Sequence, residues 1–384
     1  MKELNGVIAA CPPSGIRRFF DIAAEMDEVI SLGVGEPDFV TPWRIREAGI
    51  YALEHGYTTY TSNAGLPRLR ELICADLATR YGAHYSPATE CLITTGVSEG
   101  LDLALRVLLN PGDEVILPEP CYVAYEPCVV FAGGIPVRVP TRWQEGFAVD
   151  ADVVAAAITP RTKVILIGSP ANPTGAVQPR PALEALVRLA EQHDLYLVSD
   201  EIYDRLTYGQ AHTCLGALPG AAERTVLLGG FSKSHAMTGW RVGWICAPRQ
   251  VAELCVRVHQ YTMLCAPHVS QLAAVEALEH ADDDVAEMVA DYDRRRRVFV
   301  KGLREIGLEC PEPGGAFYAF PSIRSSGLDS ETFAERLLKA ESVAVVPGNV
   351  FGPSGEGHIR CSYATALPQL EQALERMGRF LGSL

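Results

Sequence analysis

Residues 225–247 read TVLLGGFSKSHAMTGWRVGWICA, and the fold turns on how this stretch is folded. Thr225–Gly229 and Val242–Ala247 are short apolar runs with the length and composition of buried strands. Only twelve residues separate them, among them Ser232, Thr238 and Gly239. A parallel crossover contains a helix and at least that many residues, so these two strands are expected to run antiparallel. Upstream, Cys91–Thr95, Glu114–Leu117, Ile135–Val139, Lys163–Gly168 and Leu195–Ser199 repeat the strand pattern. Helical patterns lie between them, such as Ser98–Leu109 and Arg180–His193, the latter with Leu183, Leu186, Val187 and Ala190 at helical spacing. Alternation of this kind predicts an α/β fold, a mostly parallel mixed sheet between helices with one reversed strand.

Beyond residue 285 the texture changes. A long charged helix from Val285 to about Ile306 is followed by strand-like Ala316–Phe320, Val343–Val346 and Ile359–Tyr363, then by an amphipathic helix from about Leu367. This pattern predicts a smaller α+β domain. A chain of 384 residues exceeds what one core usually fills. The expected division is a large domain at 46–284 and a small one built from 1–45 and 285–384.

Composition excludes several function classes. With 48% hydrophobic and 21% charged residues the chain has a soluble globular make-up. Its net charge of −14 repels phosphate backbones, which argues against nucleic acid as a partner. The eleven cysteines include no Cys-x-x-Cys pair, so neither a disulfide framework nor a metal site is expected, and most read as small core residues in a reducing compartment. The apolar stretch after Lys2 and Glu3 is broken by Pro12 and Pro13, unlike a signal peptide, and no run is long enough to span a membrane. The cytoplasm is the expected location.

In open α/β sheets ligands bind at the carboxyl ends of the strands. Three of the predicted strands end in polar residues there, and would bring Asn172, Asp200 and Lys233 to one edge. A buried Lys beside a buried Asp can be a plain structural ion pair. Gly229, Gly230 and Ser232 around Lys233 point instead to backbone approach to something bound, and Arg241 adds a second cation. A lysine whose pKa is lowered by burial or a neighbouring cation is a competent nucleophile toward a carbonyl. Nucleotide loops do not fit: Gly229-Gly230-Phe231-Ser232-Lys233-Ser234 lacks the earlier glycine of a Walker loop, and Gly33-Val34-Gly35-Glu36-Pro37 fails the dinucleotide pattern.

The run Ser232-Lys233 through Gly239-Trp240-Arg241-Val242-Gly243 resembles the lysine motif of the class I and II aminotransferases, pyridoxal-phosphate enzymes of fold type I. The likeness spans nearly the whole chain. Gly35-Glu36-Pro37-Asp38, Tyr60 with Ala64-Gly65-Leu66-Pro67, Asn172-Pro173-Thr174-Gly175, Asp200-Glu201-Ile202-Tyr203 and Arg360 all fall in the family's order. The branch most similar comprises the bacterial and archaeal enzymes acting on aspartate, aromatic amino acids and N-acetyl-diaminopimelate.

The resemblance implies roles. Lys233 would carry pyridoxal 5'-phosphate as a Schiff base and move the proton at the substrate Cα. Asp200 would pair with the pyridine nitrogen. Asn172 and Tyr203 would bond the phenolic oxygen, and Tyr122 would stack on the ring. The phosphate would lie at a helix start around Val97 and Ser98, with Ser232 and Arg241 completing its pocket. Arg360 would grip the substrate α-carboxylate, assisted by the Gly35 N–H. Read without the resemblance, Ser98 is an N-cap, Tyr122 a core residue and Arg360 a surface charge. Tyr60 would reach the phosphate of a neighbouring subunit, implying a homodimer.

For the substrate, the stretch around Gln260-Tyr261-Thr262-Met263-Leu264, which would carry the distal-carboxylate arginine in the better-known aspartate enzymes that the chain resembles, has none. An aromatic or broad L-amino-acid donor with 2-oxoglutarate as acceptor is therefore expected, with aspartate, N-acetyl-diaminopimelate and a C–S β-lyase reaction as alternatives. A sensor domain retaining this fold for regulation would carry a helix-turn-helix segment before Gly33, and none is read there.

Overall fold

The structure is a computed structural model that describes residues 2–13, 15 and 28–384. Among the described residues twelve strands follow in chain order: β1 (Ile30–Ser31), β2 (Cys91–Thr94), β3 (Glu114–Glu119), β4 (Ile135–Pro140), β5 (Thr162–Gly168), β6 (Tyr196–Asp200), β7 (Thr225–Gly230), β8 (Gly243–Cys246), β9 (Tyr318–Ala319), β10 (Val343–Ala344), β11 (Val346–Pro347) and β12 (Ile359–Ser362).

Seven of them form one sheet in the order β2-β8-β7-β6-β5-β3-β4. The pairs among β3 to β7 are parallel, and β8 runs antiparallel to both β7 and β2. The reversed strand is the one demanded by the short link after Gly230. Successive residues of each strand serve opposite faces, which is why the strands read as continuous apolar runs. Val164, Leu166, Val198, Val226 and Leu228 pack with Leu101, Ala104 and Leu105 of the helix Val97–Leu108. Ile165, Ile167 and Leu197 pack with Leu183, Leu186 and Val187 of the helix Arg180–Gln192.

Two smaller sheets lie elsewhere. β9, β12 and β11 form an antiparallel trio, and β1 pairs in parallel with β10 through Ile30↔Val343 and Ser31↔Ala344. Their core takes Phe299 and Leu303, Phe333 and Leu337, and Leu370 and Met377 from the helices Asp282–Glu305, Ser330–Glu341 and Leu367–Gly382. Ile202, Tyr203, Leu206 and Tyr208, which follow β6, belong to this same core. The assignment of residues 16–27 to the small domain lies outside the described residues.

Three expected elements differ in detail. Ala316–Phe320 contracts to Tyr318–Ala319, because Ala316 takes a positive φ of 55° and leaves the extended region. The run Val343–Val346 changes partner midway, Val343–Ala344 pairing with β1 and Val346–Pro347 with β12. The long helix starts at Asp282, where Asp282, Asp283 and Asp284 complement the positive end of the helix dipole. Among the described residues no helix is long and apolar enough to cross a membrane.

Candidate active site

The carboxyl ends of β5, β6 and β7 open into a cavity of about 300 Å³. Parallel register sets Gly168 beside Asp200 and Asp200 beside Leu228, so the segments leaving these strands start level with one another. Asn172, Asp200, Tyr203, Ser232, Lys233 and Arg241 all line the cavity, as do Val97, Ser98, Tyr122, Gly35 and Arg360. Tyr60 does not; its side chain is on the surface, 79% exposed.

Lys233 follows β7 behind the buried Phe231 and Ser232, and its Nζ donates to the Gly35 carbonyl at 2.7 Å. Burial draws its pKa down to about 8; the Glu36 charge opposes this, and Arg360 and Arg241 reinforce it. Asp200 closes β6. Its Oδ2 accepts the Tyr125 hydroxyl at 2.8 Å and its Oδ1 accepts the Ile202 N–H at 3.2 Å. Burial pushes this carboxyl up to about 6, the Tyr125 and Ile202 hydrogen bonds resisting.

Arg360 on β12 is 2% exposed, so its reading as a surface charge is corrected. Its guanidinium lies 4.5 Å from the Tyr318 ring centroid and 5.1 Å from that of Phe351. Nη1 donates to Asn172 Oδ1 at 2.9 Å and Nη2 to the Gly33 carbonyl at 2.6 Å, while buried Nε has no partner. Among the described residues no carboxylate pairs with Arg360, Lys233 or Arg241. The Tyr203 and Tyr318 hydroxyls share a 2.8 Å hydrogen bond.

The helix Val97–Leu108 points its start at the cavity. Gly96, not Ser98, is its N-cap, and no side chain caps the first turn, which leaves amide N–H groups open. Gly96 has φ 87°, and a Cβ there would meet Arg241 Nη2 at 2.6 Å. Arg241 donates to the carbonyls of Thr238 at 2.9 Å and Thr95 at 3.3 Å. Behind this loop Glu99 accepts from the Thr95 N–H and hydroxyl, both at 2.6 Å, and shares a 2.6 Å hydrogen bond with the buried His259.

Two further readings change. Gly229 and Gly230 make room for a neighbouring strand rather than for a ligand: a Cβ on Gly229 would meet the Trp244 ring at 2.1 Å, and one on Gly230 the Gly243 Cα at 3.0 Å. Tyr122, a core residue on its own reading, lines the cavity edge-on to Tyr125 with ring centroids 5.6 Å apart. Sequence reasoning missed Tyr125, Tyr318, Thr238 and Gly33. Tyr125 sits one short turn after Tyr122, a signal that was there to use; Tyr318 lies in an alternating run whose inward face the sequence does not mark.

The arrangement presents a buried amine, a buried carboxylate, a desolvated guanidinium and an open helix start around one space. Known proteins resemble this chain in sequence and shape. YugH of Bacillus subtilis (strain 168), itself named only as a candidate aminotransferase, is 55% identical over 98% of each chain. The aspartate aminotransferase of Pyrococcus abyssi is 44% identical over 96% of each. The crystal structure of an aromatic aminotransferase from Pyrococcus horikoshii superposes with a TM-score of 0.92 at 42% identity, covering 96% of this chain and 99% of that one. The family described as aminotransferase class I and II matches residues 27–377, so the chain belongs to that family and is a transaminase.

Proposed function

We propose that pyridoxal 5'-phosphate, the cofactor of this family, is held in the cavity on Lys233, and that the enzyme moves the amino group of an aromatic or broad range of L-amino acids to a 2-oxo acid such as 2-oxoglutarate. The observation that carries the reading is Arg360: a buried guanidinium with an orphan Nε and no acid partner is costly unless an anion visits it. The donor set fits the cofactor. Open amides at Val97 and Ser98, with Ser232 and Arg241, suit a phosphate dianion, and only glycine at 96 leaves room beside Arg241. Asp200 is a buried carboxylate without a cation, as a protonated pyridine nitrogen requires. Tyr122 offers a ring face, and Asn172 and Tyr203 offer polar atoms for the phenolic oxygen.

When bound, pyridoxal phosphate supplies the electron-withdrawing ring that accepts the electrons left at a substrate Cα on loss of its proton. Asp200 keeps that ring protonated by its negative charge. Lys233, held at about 8, is close enough to neutrality to take the Cα proton and return it on the other side of the transfer. Arg360 fixes the α-carboxylate by a fork of donors and so orients the Cα–H toward Lys233. The tyrosines and Leu101 around the space exclude water.

The cavity is lined by Tyr122, Tyr125, Tyr203 and Tyr318, an aromatic surround that favours an aromatic donor. Aspartate is kept as a second reading because of the Pyrococcus abyssi relative's name. A homodimer is supported by the large apolar side chains of Trp43, Leu53, Tyr60, Tyr261 and Met263, each of which a monomer would leave wet. The pairing of β1 with β10 supports a small domain of residues 1–45 and 285–384 beside a large one at 46–284. Eleven free cysteines support a cytoplasmic location.

The test is the visible absorbance of the holoenzyme mixed with single amino acids and no acceptor. Bleaching by tyrosine and phenylalanine, reversed by 2-oxoglutarate, is expected. Bleaching by aspartate alone would replace the donor assignment, and release of ammonia and pyruvate from a cysteine conjugate would indicate the lyase.

A further inference from the structure

Three thiols far apart in the chain meet on the side of the sheet covered by the helix Pro67–Tyr81. Cys74 lies on that helix, Cys91 opens β2 and Cys246 ends β8. Cys91 and Cys246 are direct partners across the antiparallel pair, and Cys74 comes down on them from the helix. Their Sγ atoms all lie within 4.8 Å of one another. All three are buried, at 6%, 3% and 0% exposure, among Leu69, Ile73 and Leu77. No other group of three His, Cys, Asp or Glu side chains converges in this way among the described residues.

We propose that Cys74, Cys91 and Cys246 form a binding site for one thiophilic divalent d10 cation, held by three sulfurs. Metal–sulfur bonds of about 2.3 Å set the sulfurs of a three-coordinate site about 4 Å apart, so the observed cluster needs only slight contraction. Soft thiolates select soft cations, and no oxygen or nitrogen ligand stands by to favour a hard one. Three S–H protons leave to solvent as three metal–sulfur bonds form, and no electrons move. Three thiolates on a divalent ion carry one net negative charge. Arg70, whose charge acts on Cys74 and Cys91 and whose buried Nε has no partner, offsets it. The ion would tie the helix to the edge of the sheet. Because the thiols are buried, loading proceeds through local opening of that helix and is slow.

The experiment is prolonged titration of the reduced holoenzyme with Cd2+, followed by sulfur-to-metal ultraviolet absorbance and by 113Cd resonance. One tight site per chain is expected, with a resonance of the all-sulfur three-coordinate kind and a melting temperature raised by about 2–4 °C. Cys74→Ala and Cys246→Ala should each weaken binding at least 100-fold, while Cys255→Ser, a buried thiol outside the cluster, leaves it unchanged. The resonance of the unaltered protein decides the question even where a variant fails to fold. Absence of a tight site, a resonance showing oxygen or nitrogen ligands, or binding that survives both alanine substitutions would each overturn the proposal.

Discussion

The Tyr125 hydroxyl donates a 2.8 Å hydrogen bond to Asp200, joining the helix Tyr125–Phe131 to the last residue of β6 beneath the cavity. The bond favours the charged form of a carboxylate that burial alone drives toward neutrality. Tyr125→Phe should therefore raise the Asp200 pKa further above about 6. The acid limb of the pH profile for pyridoxal phosphate binding to the apoenzyme is expected to move to higher pH, with affinity near pH 6 reduced about tenfold and affinity at pH 8 less affected. An unshifted acid limb would show that Asp200 does not control the profile.

Asp200 also carries a stability signature in the apoenzyme. Its folded pKa of about 6 lies above the unfolded value of 3.8, so between these pH values the folded state holds a proton that the unfolded state has lost. The contribution of this group to stability is therefore complete below pH 3.8 and falls as pH rises through about 6. Asp200→Asn should remove that fall. Denaturant melts of the two apoproteins at pH 4.5 and 7 should show the variant gaining relative stability at the higher pH, while transamination drops by about a thousandfold or more.

The Lys233 amine sets how fast cofactor is captured. Incorporation of pyridoxal phosphate into the apoenzyme should accelerate with pH and level off above about 8. Since the Glu36 charge holds this pKa up, Glu36→Gln should shift the midpoint to lower pH. Stopped-flow absorbance across pH 6–10 measures both; a shift in the opposite direction would reverse the assigned role of Glu36.

Arg360→Lys keeps a positive charge but loses the planar fork and the stacking on Tyr318. Substrate kcat/KM should fall roughly 100-fold, with cofactor affinity little changed. Equilibrium dialysis of pyridoxal phosphate beside steady-state kinetics separates the two effects.

At Gly96 the expected defect is the reverse. A Cβ added at φ 87° presses on Arg241 Nη2, so Gly96→Ala should destabilise the chain by about 1–2 kcal/mol and weaken cofactor binding at least tenfold. Fluorescence titration of the apoenzyme reads the affinity.

The sheet was legible because its strands are buried on both faces, so Lys163–Gly168 and Thr225–Gly229 stand out as apolar runs. The reversed strand followed from chain length alone. Asn172, Asp200 and Lys233 were legible as polar residues where apolar strands stop. Arg360 was legible only through the family resemblance, because its burial depends on Gly33, Tyr318 and Phe351, which reach it from three separate segments. Gly229 and Gly230 misled for a related reason: the bulk they accommodate is Trp244 and Gly243, brought alongside only by the antiparallel pairing. Spacing likewise hid the convergence of Cys74 with Cys91 and Cys246, since it is a sheet register and a helix position that join them.

The residues that follow β6 tie chemistry to architecture. Asp200 ends a strand of the seven-stranded sheet, yet Tyr203, Leu206 and Tyr208 are buried in the core formed around the C-terminal helices. A polypeptide severed after residue 284 would expose these apolar side chains and release Tyr203 from Tyr318. The two halves of this enzyme are thus inseparable by cutting at the apparent seam, and the cavity cannot be assembled from either alone.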